Sequence, residues 1–255
     1  MQEYSPSIRL YVDHELDSKM PIELGAEQAH YLCVVMRQKE GAVIELFNGR
    51  SGSFSARLEV VGRKSCTLRC VDRISHQHAP SDVWLLFAPV KRTRLDFMAQ
   101  KATELGASVI WPVQTDFTQV SRVKDDRLLA NAIEAAEQSG RLDIPEVRTY
   151  QKLREVIASL PQDRQLIFCD ELMAGGAAPG PVLAAKGAQK AALLIGPEGG
   201  FSAAERQMLQ NHPQTLSISL GPRILRADTA ALSALSLYQA ICGDWVEKPD
   251  NADNM

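Results

Sequence analysis

Two stretches of this 255-residue chain bring together residue types that could do chemistry. The first runs Ile195-Gly196-Pro197-Glu198-Gly199-Gly200, after an apolar segment at 191–195 and before Ser202 and Glu205. The Ser202/Glu205 spacing is that of a capping box, which sets a helix start. Glycines around a proline let the main chain come close to a ligand, and α/β sheets take their ligands at the carboxyl ends of strands. The order matches neither G-x-G-x-x-G nor a phosphate loop, since no Lys-Ser/Thr follows, so a phosphate cradle is not supported. A plain strand-to-helix turn explains the pattern equally well.

The second stretch is Leu220-Gly221-Pro222-Arg223-Ile224-Leu225-Arg226-Ala227-Asp228. Two arginines lie three apart, and a helix at 229–242 follows that is apolar on nearly all sides. Such a helix must be buried, in a core or at a subunit contact. Arginines set just before it stand on a rigid base, as a functional site requires. The bland account is that Asp228 caps the helix and Arg226 pairs with it.

The elements that would carry these loops fall into two rhythms. Short β-like segments at 8–12, 43–47, 52–58 and 65–71, with a turn at Asn48-Gly49 and a helix at 26–37, predict a small β-rich, barrel-like domain over 1–73. The polar stretch 75–81 marks a boundary. Beyond it strands at 83–88, 109–113, 165–169 and 191–195 alternate with helices, one carrying Leu95, Met98, Ala102 and Leu105 and stopping at Gly106, others at 127–139 and 202–211. This predicts an α/β fold with a mostly parallel sheet over 74–246. Residues 247–255 are expected to be a loose polar tail.

Composition removes several classes of function. Apolar residues make up 45% and charged residues 23%, and the formal charge is -3, so a globally basic coat for nucleic acid is excluded while a local basic face is not. No apolar run is long enough to span a membrane. The five cysteines are scattered, and Cys66 and Cys70 lack a second pair, so free thiols in a reducing compartment are expected and no metal site is. His76 and His78 are too few for one. No G-x-S-x-G elbow occurs, and no signal peptide is visible, which predicts a cytoplasmic protein. His30 is expected to be packed or hydrogen-bonded, and Trp84, Trp111 and Trp245 to serve a core or an interface.

The two glycine-proline stretches, 194–201 and 220–230, resemble the cofactor-binding end of the SPOUT methyltransferases. More specifically, they resemble the RsmE-type enzymes that methylate N3 of a uridine in bacterial 16S ribosomal RNA. Lys101-Ala102-Thr103-Glu104-Leu105-Gly106 and the segment from Glu134 to Arg141 resemble two further signatures of that family. His30-Tyr31-Leu32 through Arg37, with Gly41, resembles its PUA-like RNA-binding module. One departure is Ala227-Asp228, where the family has Thr-Glu.

The resemblance implies a trefoil-knotted methyltransferase domain, a homodimer built around the helix at 229–242, and S-adenosylmethionine (SAM) as cofactor. SAM would be held, largely by main chain, at Leu172, Ile195, Gly196, Pro197, Glu198, Gly199, Gly200, Leu220, Gly221, Ile224, Leu225 and Arg226, in loops 170–173, 196–200 and 220–226. Methyl transfer asks chiefly for alignment. Uridine N3 must also lose a proton, so Arg226 would stabilise the developing negative charge while Asp228, or less well Glu198, accepts the proton. The partner would be 16S ribosomal RNA or the small ribosomal subunit. Arg9, Arg37, Arg50, Lys91, Arg92 and Arg94 are the candidate contacts to a strand unstacked around the target. Two other readings remain: a SPOUT methyltransferase acting on another RNA or atom, such as a ribose 2'-hydroxyl, and a non-catalytic RNA-binding assembly protein.

Overall fold

The computed structural model describes residues 8–16, 21–61, 65–90, 92–173, 176, 178–187 and 190–246, less the side chains at 92, 93 and 186. Two compact units emerge, one of residues 1–79 with 136–144, the other of 80–135 with 145–255.

The first unit holds a five-stranded sheet of β1 (Arg9–Tyr11), β2 (Pro21–Leu24), β3 (Val43–Phe47), β4 (Ser53–Val61) and β5 (Cys66–Ser75) in the order β1-β3-β4-β5-β2. Only β1 and β3 run parallel. Alternation decides which way each strand faces: Cys66, Leu68 and Cys70 point into the core while Thr67 and Arg69 do not. The predicted strand at 65–71 runs on to Ser75, so the unit extends past residue 73. Asn48-Gly49 does turn the chain, but within a longer loop: Phe47 pairs with Ser53, and Asn48 Oδ1 accepts from Arg50 and Ser51 N–H. The helix expected at 26–37 is α1 (Ala26–His30), continued by a π-helical turn at Tyr31–Val35 and ended by Arg37 at φ 52. Residues 136–144 join this unit through Ala136 and Leu142, which pack on Phe47.

The second unit contains β6 (Val83–Phe87), α2 (Arg92–Glu104), β7 (Val109–Gln114), most of α3 (Asp125–Ser139), β8 (Glu146–Val147), β9 (Gln151–Lys152) and α4 (Leu153–Ala158). It continues with β10 (Gln165–Cys169), α5 (Pro179–Lys186), β11 (Ala191–Ile195), α6 (Ala203–Asn211), β12 (Thr215–Ile218) and α7 (Ala227–Ile241). The sheet order is β12-β10-β11-β6-β7-β8, with β9 also on β7, and every pairing is parallel, as predicted. The central strands β6 and β11 are buried at every residue, the expected state of strands covered on both faces. Trp84 and Trp111 belong to the core, whereas Trp245 is 54% exposed.

Helix α7 does not stay at the edge beside β12. It packs on β6, β11, α2 and α5, burying Ala231, Ala234, Leu235 and Tyr238. The chain therefore crosses back past β10 to the middle of the sheet, the path that the knotted fold implied by the resemblance requires. No helix among the described residues is long and apolar enough to cross a membrane.

Candidate functional site

Strands β12, β10 and β11 are neighbours and parallel, so the loops leaving their carboxyl ends emerge side by side. The first loop is pinned from α6. Arg206 donates through Nη1 to Asp170 and through Nη2 to Glu171 Oε1 at 2.6 Å, while Asp170 Oδ1 also accepts from Leu172 N–H at 3.0 Å. Asp170 is buried at 3% exposure, and a carboxylate that deep needs such partners. Partial burial pushes the Arg206 guanidinium below its ordinary pKa.

The second loop leans on the first. Gly200 has φ +69, and a Cβ there would stand 2.0 Å from Glu171 Oε1, so no other residue fits without moving the carboxylate. At Gly196 a Cβ would meet the Phe201 ring at 2.5 Å, and that ring is fixed edge-on to Phe168 with centroids 5.0 Å apart. The predicted capping box is present: Glu205 N–H donates to Ser202 Oγ and Ser202 N–H to Glu205 Oε2.

The third loop turns at Gly221, φ +105, whose N–H donates to Ser219 Oγ at 3.2 Å. Helix α7 begins at Ala227, earlier than predicted, which makes Arg226 its N-cap. Arg226 is exposed and makes no side-chain cap bond. Asp228 is therefore not the cap but sits in the first turn, its Oδ1 accepting from Thr229 N–H at 2.9 Å. The cation beside Asp228 is not Arg226 but Arg94, whose Nε lies 3.8 Å from Asp228 Oδ2. Arg94 also donates through Nη1 to Glu198 Oε1 at 2.5 Å, so one guanidinium ties the second loop to the start of α7.

A cleft of about 350 Å³ opens between the first and third loops, lined by Cys169 to Glu171, Leu220, Gly221, Arg223 to Leu225 and Ala230. Its rim carries two large apolar side chains left in solvent, Leu172 at 73% and Ile224 at 83% exposure. Burial holds the Cys169 thiol protonated, its pKa pushed up to about 12, so it offers no nucleophile.

Of the predicted cofactor contacts, Leu220, Gly221, Ile224 and Leu225 line this cleft, Leu172 stands beside it, and Gly200 abuts its wall at Glu171. Ile195 is buried at the end of β11 and offers only main chain. Pro197, Glu198 and Gly199 line a neighbouring groove of about 410 Å³ with Pro89, Val90, Phe117, Gln119 and Val120. Arg206 escaped the sequence reading because its partners lie 36 and 35 residues away and no spacing links them.

The predicted RNA contacts fare differently. Arg9 is taken up inside the first unit, pairing with Glu45 at 3.2 Å, donating to the carbonyls of Ala136, Glu137 and Arg141, and lying 4.7 Å from the Phe47 ring. This side chain joins 136–144 to the sheet and is committed to that task. Arg37 is exposed. Arg50 is exposed as well and pairs with Asp13 and Glu15. Arg94 serves the two loops, as described. Arg92 is the first residue of α2, and Lys91 lies outside the described residues. No group of three or more potential metal ligands occurs among the described residues.

The sequence matches the profile of an RNA methyltransferase domain over residues 77–239 and that of an RNA methyltransferase PUA domain over 24–70. It is 30% identical over 229 residues to the ribosomal RNA small subunit methyltransferase E of Rickettsia conorii, covering 89% of this chain and 93% of that one. The protein of that name from Bacillus subtilis is 27% identical over 233 residues, covering 87% of this chain and 91% of its own. The crystal structure of the Neisseria gonorrhoeae enzyme of that name, bound to SAM, superposes with a TM-score of 0.82 at 27% identity, covering 94% and 99% of the two chains. A structure of a Legionella pneumophila protein with bound SAM gives 0.78 at 32% identity, covering 91% and 97%.

Proposed function

Because this chain belongs to the RNA methyltransferase family, and within it to the ribosomal RNA small subunit methyltransferase E group, we propose that it methylates N3 of a uridine in 16S ribosomal RNA. It is a SAM-dependent ribosomal RNA methyltransferase. The observation that carries the reading to particular residues is the cleft between the loops after β10 and β12, with Gly200 pressed against its wall.

The residues present suit SAM. The cleft is lined by the Gly221 turn, where main chain is accessible, and Leu172 and Ile224 would cover the flat face of an adenine. Glu171 lines the same cleft and offers a carboxylate acceptor to hydroxyl or ammonium groups. SAM supplies a methyl group on a sulfonium, already a good electrophile, so the protein's work is alignment and charge control.

Arg226 is the group for the charge. Among the described residues its side chain has no partner, it is exposed, and it stands at the amino end of the fifteen-residue helix α7, whose dipole also favours an anion there. The negative charge that spreads over a uracil ring as N3 loses its proton would be stabilised by both. Asp228 takes the proton in this reading. Glu198 is the weaker candidate, because Arg94 holds its Oε1 at 2.5 Å. The reading extends to a homodimer through α7, whose Leu232, Leu237 and Ile241 remain partly exposed, and to the cytoplasm, where 16S ribosomal RNA is assembled.

Nucleoside mass spectrometry of 16S ribosomal RNA from a strain lacking the gene tests the function. Loss of 3-methyluridine, restored by the gene, is the expected result. An unchanged 3-methyluridine level with loss of a ribose methylation would overturn it.

A further inference from the structure

The side chains of the second unit divide sharply in how their positive charges are used. Arg94, Lys101, Arg127, Arg148, Arg164, Lys190 and Arg206 all have carboxylate partners. Among the described residues of this unit, the unpartnered cations are the two arginines of the last loop and Arg122, Lys124, Lys152 and Arg154. All of them stand at the carboxyl end of the parallel sheet: Arg122 and Lys124 follow β7, and β9 with the start of α4 lies beside the end of β7, Gln114 pairing with Lys152. Tyr150 Oη donates to Val120 carbonyl at 2.7 Å and binds the two basic segments to each other.

Between this basic edge and the glycine loop stands Phe117. It is 50% exposed, and its Cβ lies where it would be 3.4 Å from a Cβ on Gly199. The turn that presents it is held on both sides. Thr115 N–H donates to Thr118 Oγ1 at 2.9 Å, Asp116 N–H donates to Glu205 Oε1 at 2.8 Å, and Ser202 Oγ donates to Asp116 Oδ2 at 2.5 Å. Those bonds engage Asp116 and Glu205, the two carboxylates of a cleft of about 770 Å³ that Lys152 and Arg154 also line, and neither cation is in an ion pair there. An aromatic ring fixed on a polar turn, half in water, with cations outside any ion pair along the same sheet edge, is the composition of a surface that stacks a base and follows a phosphate chain.

The geometry points to this turn and edge as the seat of the single-stranded RNA next to the target uridine, with Phe117 stacked on a nucleobase and Arg122, Lys124, Lys152 and Arg154 along the phosphates. The inference rests on the RNA methyltransferase reading and adds to it the residues that hold the substrate strand.

The test pairs binding with turnover. A short fluorescein-labelled single-stranded RNA is titrated against wild type, Phe117→Ala, Phe117→Trp and the double variant Lys152→Ala/Arg154→Ala. The same proteins are assayed on unmethylated small subunits and titrated with SAM by calorimetry. Phe117→Ala should weaken RNA binding about tenfold and raise KM while SAM affinity holds, and Phe117→Trp should restore it. The double variant should reduce the slope of log affinity against log salt by about 1.4. Wild-type RNA affinity and salt slope in both variants overturns the inference while wild type still methylates. Failure of wild type to methylate the subunits strikes the functional reading instead, and the anisotropy series still separates the two.

Discussion

Arg94 Nη1 lies 2.5 Å from Glu198 Oε1 and is the bond by which α2 holds the glycine loop in place. The same guanidinium reaches toward Asp228, so the second loop and the head of α7 share one strut. The pair is partly exposed, 34% for Arg94 and 62% for Glu198, and such pairs contribute about 1 kcal/mol or less to stability. Arg94→Ala should therefore unfold at nearly the wild-type urea concentration. Its turnover should fall far more, by up to about a hundredfold, because donor and acceptor are no longer aligned. Equal loss of stability and activity would show that Arg94 is merely structural.

Arg226→Ala should retain fold and SAM affinity and lose about 10²–10³ in single-turnover rate. Asp228→Asn should also bind SAM normally and turn over slowly. A wild-type rate in Arg226→Ala would take that side chain out of the chemistry.

Gly200→Ala places a methyl group on Glu171 Oε1 at a backbone φ that side chains rarely adopt. We expect a loss of about 1–3 kcal/mol in urea unfolding and weaker SAM binding, as Glu171 is pushed off Arg206. Gly221→Ala meets nothing within 4 Å and should cost only its conformational penalty, about 1–2 kcal/mol.

Alkaline pH should weaken the fold in a defined window. Burial pushes the Cys169 thiol up to about 12 and Cys66 up to about 11, both above the ordinary value of 9.0. The unfolded chain thus releases these protons first, so their contribution to stability is intact below pH 9 and is lost as pH rises through 11 and 12. The urea midpoint should fall progressively above pH 9, and Cys169→Ala should flatten part of that fall. Native protein at pH 8 should leave Cys169 unlabelled by iodoacetamide.

The sequence carried the parts of this structure that local chemistry dictates. The buried runs of β6 and β11, the capping box at Ser202 and the glycine loop ahead of it are written in residues a few positions apart. The partners of the arginines are not. Arg9 closes on carbonyls 127 to 132 residues away, and Arg94 meets Glu198 across 104, so neither set of partners is visible in local spacing. The start of α7 shifted because Asp228 looks like a cap, yet Ala227 already adopts helix and Arg226 takes the cap position without using its side chain. Phe117 carried no signal either, since an isolated aromatic in a polar loop becomes informative only when Gly199 is found beneath it.

A crystal structure of the protein with S-adenosylhomocysteine bears on the central claim most directly. The account predicts the nucleoside between the loops after β10 and β12, its adenine against Leu172 and Ile224 and its sulfur turned toward Arg226. Density for the ligand at any other place, with Gly200 and Glu171 remote from it, would contradict the account.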